Sequence, residues 1–206
     1  MLNAATATFL AHGYAGTTMR AIAGEAGVSL PTVEALFGTK ARILKAAIDV
    51  AIAGDDEQVP VLERGWTRAA VQARSAEQFL AIAASVIAPA QGRSAGLVLA
   101  VFEGSSADAE LGALATQMIA ARGETAGWLV DTMITKAPLR PGCTRGEAID
   151  TMWILMDPAV YDRLVRHRQW TCRQYEEWFA ASARLLLIAD PRAVPTTTNR
   201  STDERT

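Results

Sequence analysis

The sequence predicts an all-α protein: an N-terminal three-helix helix-turn-helix domain, then a helical bundle. Three observations predict it. Apolar residues recur at helical spacing through most of the 206 residues. No run alternates with the period of two that a half-buried strand needs, and no internal repeat is present. Between Thr17 and Lys40 two short amphipathic segments flank a glycine, TTMRAIAGEAGVSLPTVEALFGTK.

The elements follow in order. Residues 2–12 read as a first helix with Leu2, Ala5 and Phe9 on one face. In the next stretch Ile22, Ala26, Val28, Val33 and Leu36 are the apolar positions that two crossing helices would bury, with Ala23 small at the crossing. Thr17 is the expected N-cap of the first of these helices and Ser29 of the second. Gly27 suits a turn that needs a positive φ. Pro31 falls in a first helical turn, where a missing N–H costs little. Thr39 caps a helix over 40–53, with Ile43, Leu44, Ala47, Ile48 and Ala51 inward. The acids of Gly54-Asp55-Asp56-Glu57 read as a solvated stop, and 54–74 as the connecting segment.

From Ser75 the helical period resumes. Phe79, Ile82, Ala83, Val86 and Ile87 form one face that Pro89 is expected to end. Leu97, Val98, Val101 and Phe102 form another, stopped at Gly104-Ser105-Ser106. A long helix is expected over 107–135 and a loop at Pro138 to Gly142. Further helices follow over 145–156, from Pro158, and from Thr171, the last carrying Tyr175, Trp178, Phe179, Leu185 and Leu186 on one stripe. The bundle domain is therefore placed at 75–189. Residues 190–206, rich in Pro, Thr, Asn and charge, are expected to be a disordered tail.

The run Phe9-Leu10-Ala11-His12-Gly13-Tyr14, then Thr17-Thr18-Met19, Ile22-Ala23, Ala26-Gly27-Val28-Ser29, Thr32-Val33, Phe37 and Lys40 resembles the TetR family of bacterial transcriptional regulators. The resemblance covers about the first fifty residues; the remainder is similar only in being helical. It implies a DNA-binding domain over residues 1–53 and a homodimer whose bundle encloses a small-molecule pocket. The second helix of the motif would enter the major groove of a double-stranded operator. Thr17, Thr18, Arg20, Ser29, Leu30, Pro31, Thr32, Glu34, Ala35 and Lys40 are the candidate DNA contacts. Lys40, by the resemblance, would touch a phosphate; its place in a helix's first turn opposes the helix dipole. The family commonly has an aromatic where Glu34 stands, and basic residues before the first helix, whereas this sequence begins almost inside that helix.

Glu34 keeps a second reading open: a helical homodimer that binds a small molecule or a protein without reading DNA. A carboxylate repels phosphate unless it accepts from a cytosine amino group. Residues 1–53 carry four basic and three acidic side chains, and the whole chain has a net charge of −2. That is a weak electrostatic footprint, so helix N-termini would share the phosphate contacts.

For the bundle, Phe79, Phe102, Gln117, Met118, Thr125, Trp128, Met133 and Trp153 are the candidate effector contacts, because large groups and a few polar ones lie on consecutive helices. Tyr161, Tyr175, Trp178, Phe179, Ser182, Leu185 and Leu186 are the candidate dimer contacts, because the final stripe is wider than one neighbour covers. Catalysis has no constellation. The two histidines, His12 and His167, lie apart, no Glu-x-x-His pair exists, and no glycine-rich phosphate loop follows a strand. No metal ligand set or cofactor motif appears, so no cofactor, no metal and no enzyme activity are expected. Cys143 and Cys172 form no motif and suit a reducing compartment. With no signal peptide, a cytoplasmic protein is expected. The apolar stretch Gln78 to Phe102 holds Pro89, Gly92 and Arg93, and reads as two buried helices rather than a membrane span.

Overall fold

The computed structural model describes residues 1–54 and 63–189. The acids from Asp55 to Glu57 and the tail from 190 lie outside them. Among the described residues the chain is helical: α1 (Leu2–Gly16), α2 (Met19–Glu25), α3 (Leu30–Phe37), α4 (Lys40–Ala53), α5 (Gly65–Gln72), α6 (Ala76–Gly104), α7 (Ala109–Ile134), α8 (Arg145–Leu155), α9 (Pro158–Asp162) and α10 (Cys172–Leu187). A π-helical turn, Arg163–His167, follows α9. One isolated bridge joins Leu139 to Ile188.

Side-chain caps set most helix starts. Ser29, Thr39 and Ser75 each accept from the N–H three residues on. Thr144 with Glu147, and Thr171 with Gln174, form reciprocal capping boxes. Asp108 accepts from both Glu110 and Leu111 to start α7. The expectation for Thr17 is corrected: Thr18 caps α2, accepting from the Ala21 N–H. Thr17 is buried, and its hydroxyl lies 2.7 Å from the Gly13 carbonyl and 3.3 Å from that of Thr8. It fastens the end of α1, which runs past the expected residue 12 through a kink at Gly13 (φ 65°).

Residues 76–104 form one helix, not two. Pro89 lies inside it. The ring removes the bond to the Ser85 carbonyl, but Ser85 is exposed, so water can satisfy that oxygen. Burial on both sides of the proline holds the rod together. By length and composition α6 could cross a membrane, yet half of its most apolar window is buried inside the protein. It is the central core helix.

Two apolar cores result. One gathers α1 to α4 around Phe9, Ile22, Val33, Ile43 and Leu44, and is completed by Leu97 and Val101 of α6 and Leu111 of α7. The other gathers α5, the first part of α6, the end of α7 and α8 to α10 around Phe79, Leu129, Met133, Met152, Tyr175 and Phe179. Helices α6 and α7 therefore belong to both. The segment 63–74, expected as connection, carries α5, whose Ala70 is fully buried.

Candidate functional site

Two regions take up the predicted site residues: the outer face of α2 and α3, and a cavity between α4, α6 and α7.

Val33 of α3 is fully buried, and Ile22 and Ala23 of α2 lie against the same core. Gly27, at φ 66°, makes the turn between them. This anchoring leaves Pro31, Thr32, Glu34 and Ala35 exposed on α3, with Leu30 half-buried at its start. Thr18, Arg20 and Ser29 are exposed beside them. The Ser29 and Thr32 hydroxyls are 2.7 Å apart at the N-terminus of α3. Leu36, expected inward, is 65% exposed and joins this outer face. Phe37 and Val33 suffice to seat the short helix, so Leu36 is released to solvent. A leucine exposed to that degree among small polar neighbours was the missed candidate; its place three residues from Val33 hid it.

The expectation for Lys40 changes. The Lys40 amine donates to the Tyr14 carbonyl (2.7 Å) and the Thr17 carbonyl (2.8 Å), and sits 4.0 Å over the Tyr14 ring. It caps the end of α1, and burial lowers its pKa while Asp108 opposes that shift. Arg42 pairs with Glu110 (3.4 Å) and Lys45 with Asp49 (2.6 Å). Of the cations in residues 1–53, Arg20 is left without an ion-pair or hydrogen-bond partner among the described residues. Thr17, buried as described, has no side chain to offer DNA.

The cavity has a volume of about 410 Å³, within the roughly 300–1,000 Å³ usual for small-molecule sites. Ile48 and Ile52 of α4, Trp66 of α5, Val98 of α6 and Leu114 of α7 give it an apolar lining. Gln117, Met118 and Thr125 line it as expected, although the Thr125 hydroxyl is bonded to the Ala121 carbonyl. The other five expected residues do not. Phe79 and Met133 are fully buried in the second core. Phe102 packs on the first core. Trp128 meets Trp66 edge-on at 5.4 Å. Trp153 lies under the Arg122 guanidinium at 3.9 Å. The periodicity that marked them as inward was correct, but inward meant core.

Sequence reasoning missed two buried polar groups of this cavity, Gln91 and Arg122. Gln91 is 8% exposed, and its amide N–H donates to the Met156 carbonyl. That bond fixes the amide orientation and leaves Oε1 buried with no partner. The Arg122 side chain is 10% exposed and pairs through Nη2 with Asp157 at 2.8 Å, leaving Nε without a partner. Burial lowers the Arg122 pKa, with Asp157 opposing. Each unsatisfied atom costs about 1–3 kcal/mol. The signal was there: Ile87, Gln91, Ala95 and Val98 repeat at helical spacing, so a glutamine sits on a buried stripe.

The dimer candidates divide likewise. Tyr175 and Phe179 are fully buried and Tyr161 nearly so, all within the second core. Tyr175 donates to the Leu155 carbonyl at 2.9 Å, and burial raises its pKa. These three are internal. Trp178 is half-buried against Trp170 and Tyr175, and Ser182 is half-buried. Leu185 and Leu186 are exposed on α10, as is Ile154 on the neighbouring α8.

Residues 1–47 match the family model of bacterial regulatory proteins, tetR family. No curated protein matches the chain. Among solved structures it is similar to the transcriptional regulator FadR from Bacillus subtilis in complex with stearoyl-CoA, at 16% identity and TM-score 0.67, over 88% of this chain and 95% of that one. It is similar to FadR, the fatty acid degradation regulator of Bacillus halodurans, at 15% identity and TM-score 0.67, over 90% and 92%. NalD, the secondary repressor of the MexAB-OprM multidrug efflux pump in Pseudomonas aeruginosa, aligns at 17% identity and TM-score 0.63, over 92% and 95%. At such identities the likeness shows the fold.

Proposed function

We propose that this chain, a TetR-family protein by its N-terminal domain and its fold, is a repressor that binds a palindromic operator as a homodimer and is released by a small molecule. In this reading residues 1–53 read DNA, and residues 75–189 bind the effector and dimerise. The observation that carries it is the outer face of α3. Pro31, Thr32, Glu34, Ala35 and Leu36 stand exposed on a helix whose inner side is fixed by Val33. A helix so mounted is shaped to enter the major groove. The face holds no Arg, Lys, Asn or Gln, so thymine methyls against Leu36, Pro31 and Ala35, and a cytosine amino group at Glu34, are the contacts its chemistry allows. Half-sites are accordingly short and tolerant, and specificity comes from pairing two of them about one helical turn apart or a small multiple.

A second copy is proposed to cover Ile154, Leu185 and Leu186, where α8 and α10 pack together. The cavity supports effector control, because α4 of the DNA-binding part forms one of its walls. Selection of binding sites from random double-stranded DNA tests the reading. A two-fold symmetric sequence is expected, protected in footprinting of the upstream region. Enrichment of no sequence would leave the other reading, a helical dimer that binds a small molecule without reading DNA. The unpaired carboxylate of Glu34 and the scarcity of free cations favour that alternative.

A further inference from the structure

The unsatisfied groups of the cavity are gathered at one end. Gln91 and Arg122 come from different helices, yet they are anchored to consecutive residues, Met156 and Asp157, at the start of α9. Pro158 lines the same end. The rest of the lining is mostly apolar, with Ile48, Ile52, Val98, Leu114 and Met118, and is interrupted by Gln117 and the Lys45–Asp49 pair. The site is thus a mostly apolar cavity, and its buried end at α9 holds an unused acceptor, Gln91 Oε1, and an unused donor, Arg122 Nε.

Charge at the site is balanced. Arg122 is paired with Asp157, and Lys45 with Asp49. An anionic group brought to Arg122 would meet the Asp157 carboxylate already there. A cation would meet the guanidinium. Either would be desolvated without a free counter-charge. Two neutral hydrogen bonds, by contrast, satisfy both orphan atoms at once.

We propose that the cavity takes an uncharged, largely apolar molecule whose one polar end carries both an acceptor and a donor, as in a primary amide. The acceptor receives the Arg122 Nε–H, and the donor reaches Gln91 Oε1. The apolar body lies along Ile48 and Ile52 of α4, the helix that carries the DNA-binding domain's core. This deepens the effector reading and rests on it.

The test uses the full chain and three probes of matched chain length: decanamide, 2-undecanone and decanoate. Binding is measured by calorimetry and by tryptophan fluorescence, to which Trp66 in the cavity lining contributes. Decanamide is expected to bind about ten-fold more tightly than either of the others, the value of one good hydrogen bond to a buried partner. Gln91→Leu should bring decanamide down to the level of the ketone. Arg122→Lys, which keeps the charge beside Asp157 but lacks Nε, should weaken both. A ranking of the wild-type protein alone decides the matter should a variant not fold. Tightest binding of decanoate overturns the uncharged class. Equal binding of amide and ketone overturns the role of Gln91, and binding of no probe overturns the ligand class. Site selection on the same preparation separates the two readings. Selected DNA without probe binding fails only this inference, and decanamide binding without selected DNA fails only the regulator reading.

Discussion

The phenol of Tyr14 donates a 2.8 Å hydrogen bond to the carboxylate of Asp108, 94 residues along the chain. Tyr14 lies in the last turn of α1, and Asp108 caps α7. Beside this bond Thr39 donates to Glu110 at 3.0 Å, and Arg42 pairs with the same carboxylate. The first turn of α7 is therefore tied to the N-terminal helices α1 and α4 at three points. Its following turns, from Leu114 to Thr125, line the cavity. On the proposed effector reading, displacement of α7 by a ligand would reach α1 and α4 through these bonds.

Tyr14→Phe keeps the ring under Lys40 and removes the bond. Its effect depends on pH with a definite sign. The hydrogen bond from Tyr14, and then the Leu111 N–H, hold the Asp108 pKa below its ordinary 3.8. That contribution is present above 3.8 and is lost as pH falls through the lowered value. Burial, and then the bond to Asp108, raise the Tyr14 pKa above its ordinary 10.0. That contribution is present below 10.0 and is lost as pH rises through the raised value. Melting temperature against pH should show Tyr14→Phe below wild type between these limits, with the two curves converging outside them. Operator release by effector should need more ligand in the variant.

DNA affinity should fall only gently with salt, because Lys40, Arg42 and Lys45 are already engaged. Arg20→Ala should weaken binding to all sequences alike and lower the slope of log affinity against log salt by about one. Lys40→Met acts differently. It strips a donor from two carbonyls, so it should cost about 1–3 kcal/mol of stability in a denaturant titration. A loss of affinity at Lys40 without loss of stability would assign it to phosphate after all.

At α3, Leu36→Ala should leave stability within about 0.5 kcal/mol, since the side chain is exposed. In site selection it should relax a thymine preference at one position per half-site, by about 0.8 kcal/mol for each methyl group no longer packed against protein. Glu34→Gln should shift one position from cytosine toward adenine. An unchanged consensus in both variants would remove α3 from base readout.

For the assembly, sedimentation should give about twice the chain mass. Leu185→Glu and Ile154→Glu should give folded monomers, because both side chains are exposed in the single chain. Tyr175→Ala should instead destabilise the fold by about 3–5 kcal/mol, as loss of a fully buried ring does. Dimers that survive both glutamate substitutions would place the interface elsewhere.

Helical periodicity made the all-α class, the helix-turn-helix and most caps legible, because those depend on neighbours within four residues. The pattern also told inward from outward well, as Val33, Phe79 and Tyr175 demonstrate. It could not tell core from cavity: Phe79 and Met118 look alike in sequence, and only the distance to the facing helix separates them. Nor could it find the cations that cap remote helix ends. Lys40 serves α1, Arg93 donates to the Ala51 carbonyl at the end of α4, and Lys136 donates to the Val71 and Ala73 carbonyls at the end of α5. Each partner is set by the tertiary fold. Pro89 misled in the opposite direction, because a local rule yielded to packing on both sides of it.

The uninterrupted run of α6 through both cores bears on how such a protein could be recombined. A head of residues 1–53 cut from this chain and joined to another body would leave behind Leu97, Val98, Val101, Leu111 and Leu114, which close its core. The exchangeable unit is thus not bounded at residue 54. It extends to the second half of one helix and the first turns of the next, and a chimera must carry that surface or rebuild it. By the same sharing, heat unfolding of the intact chain is expected to give a single calorimetric transition, since neither core can melt without stripping one end of the same rod.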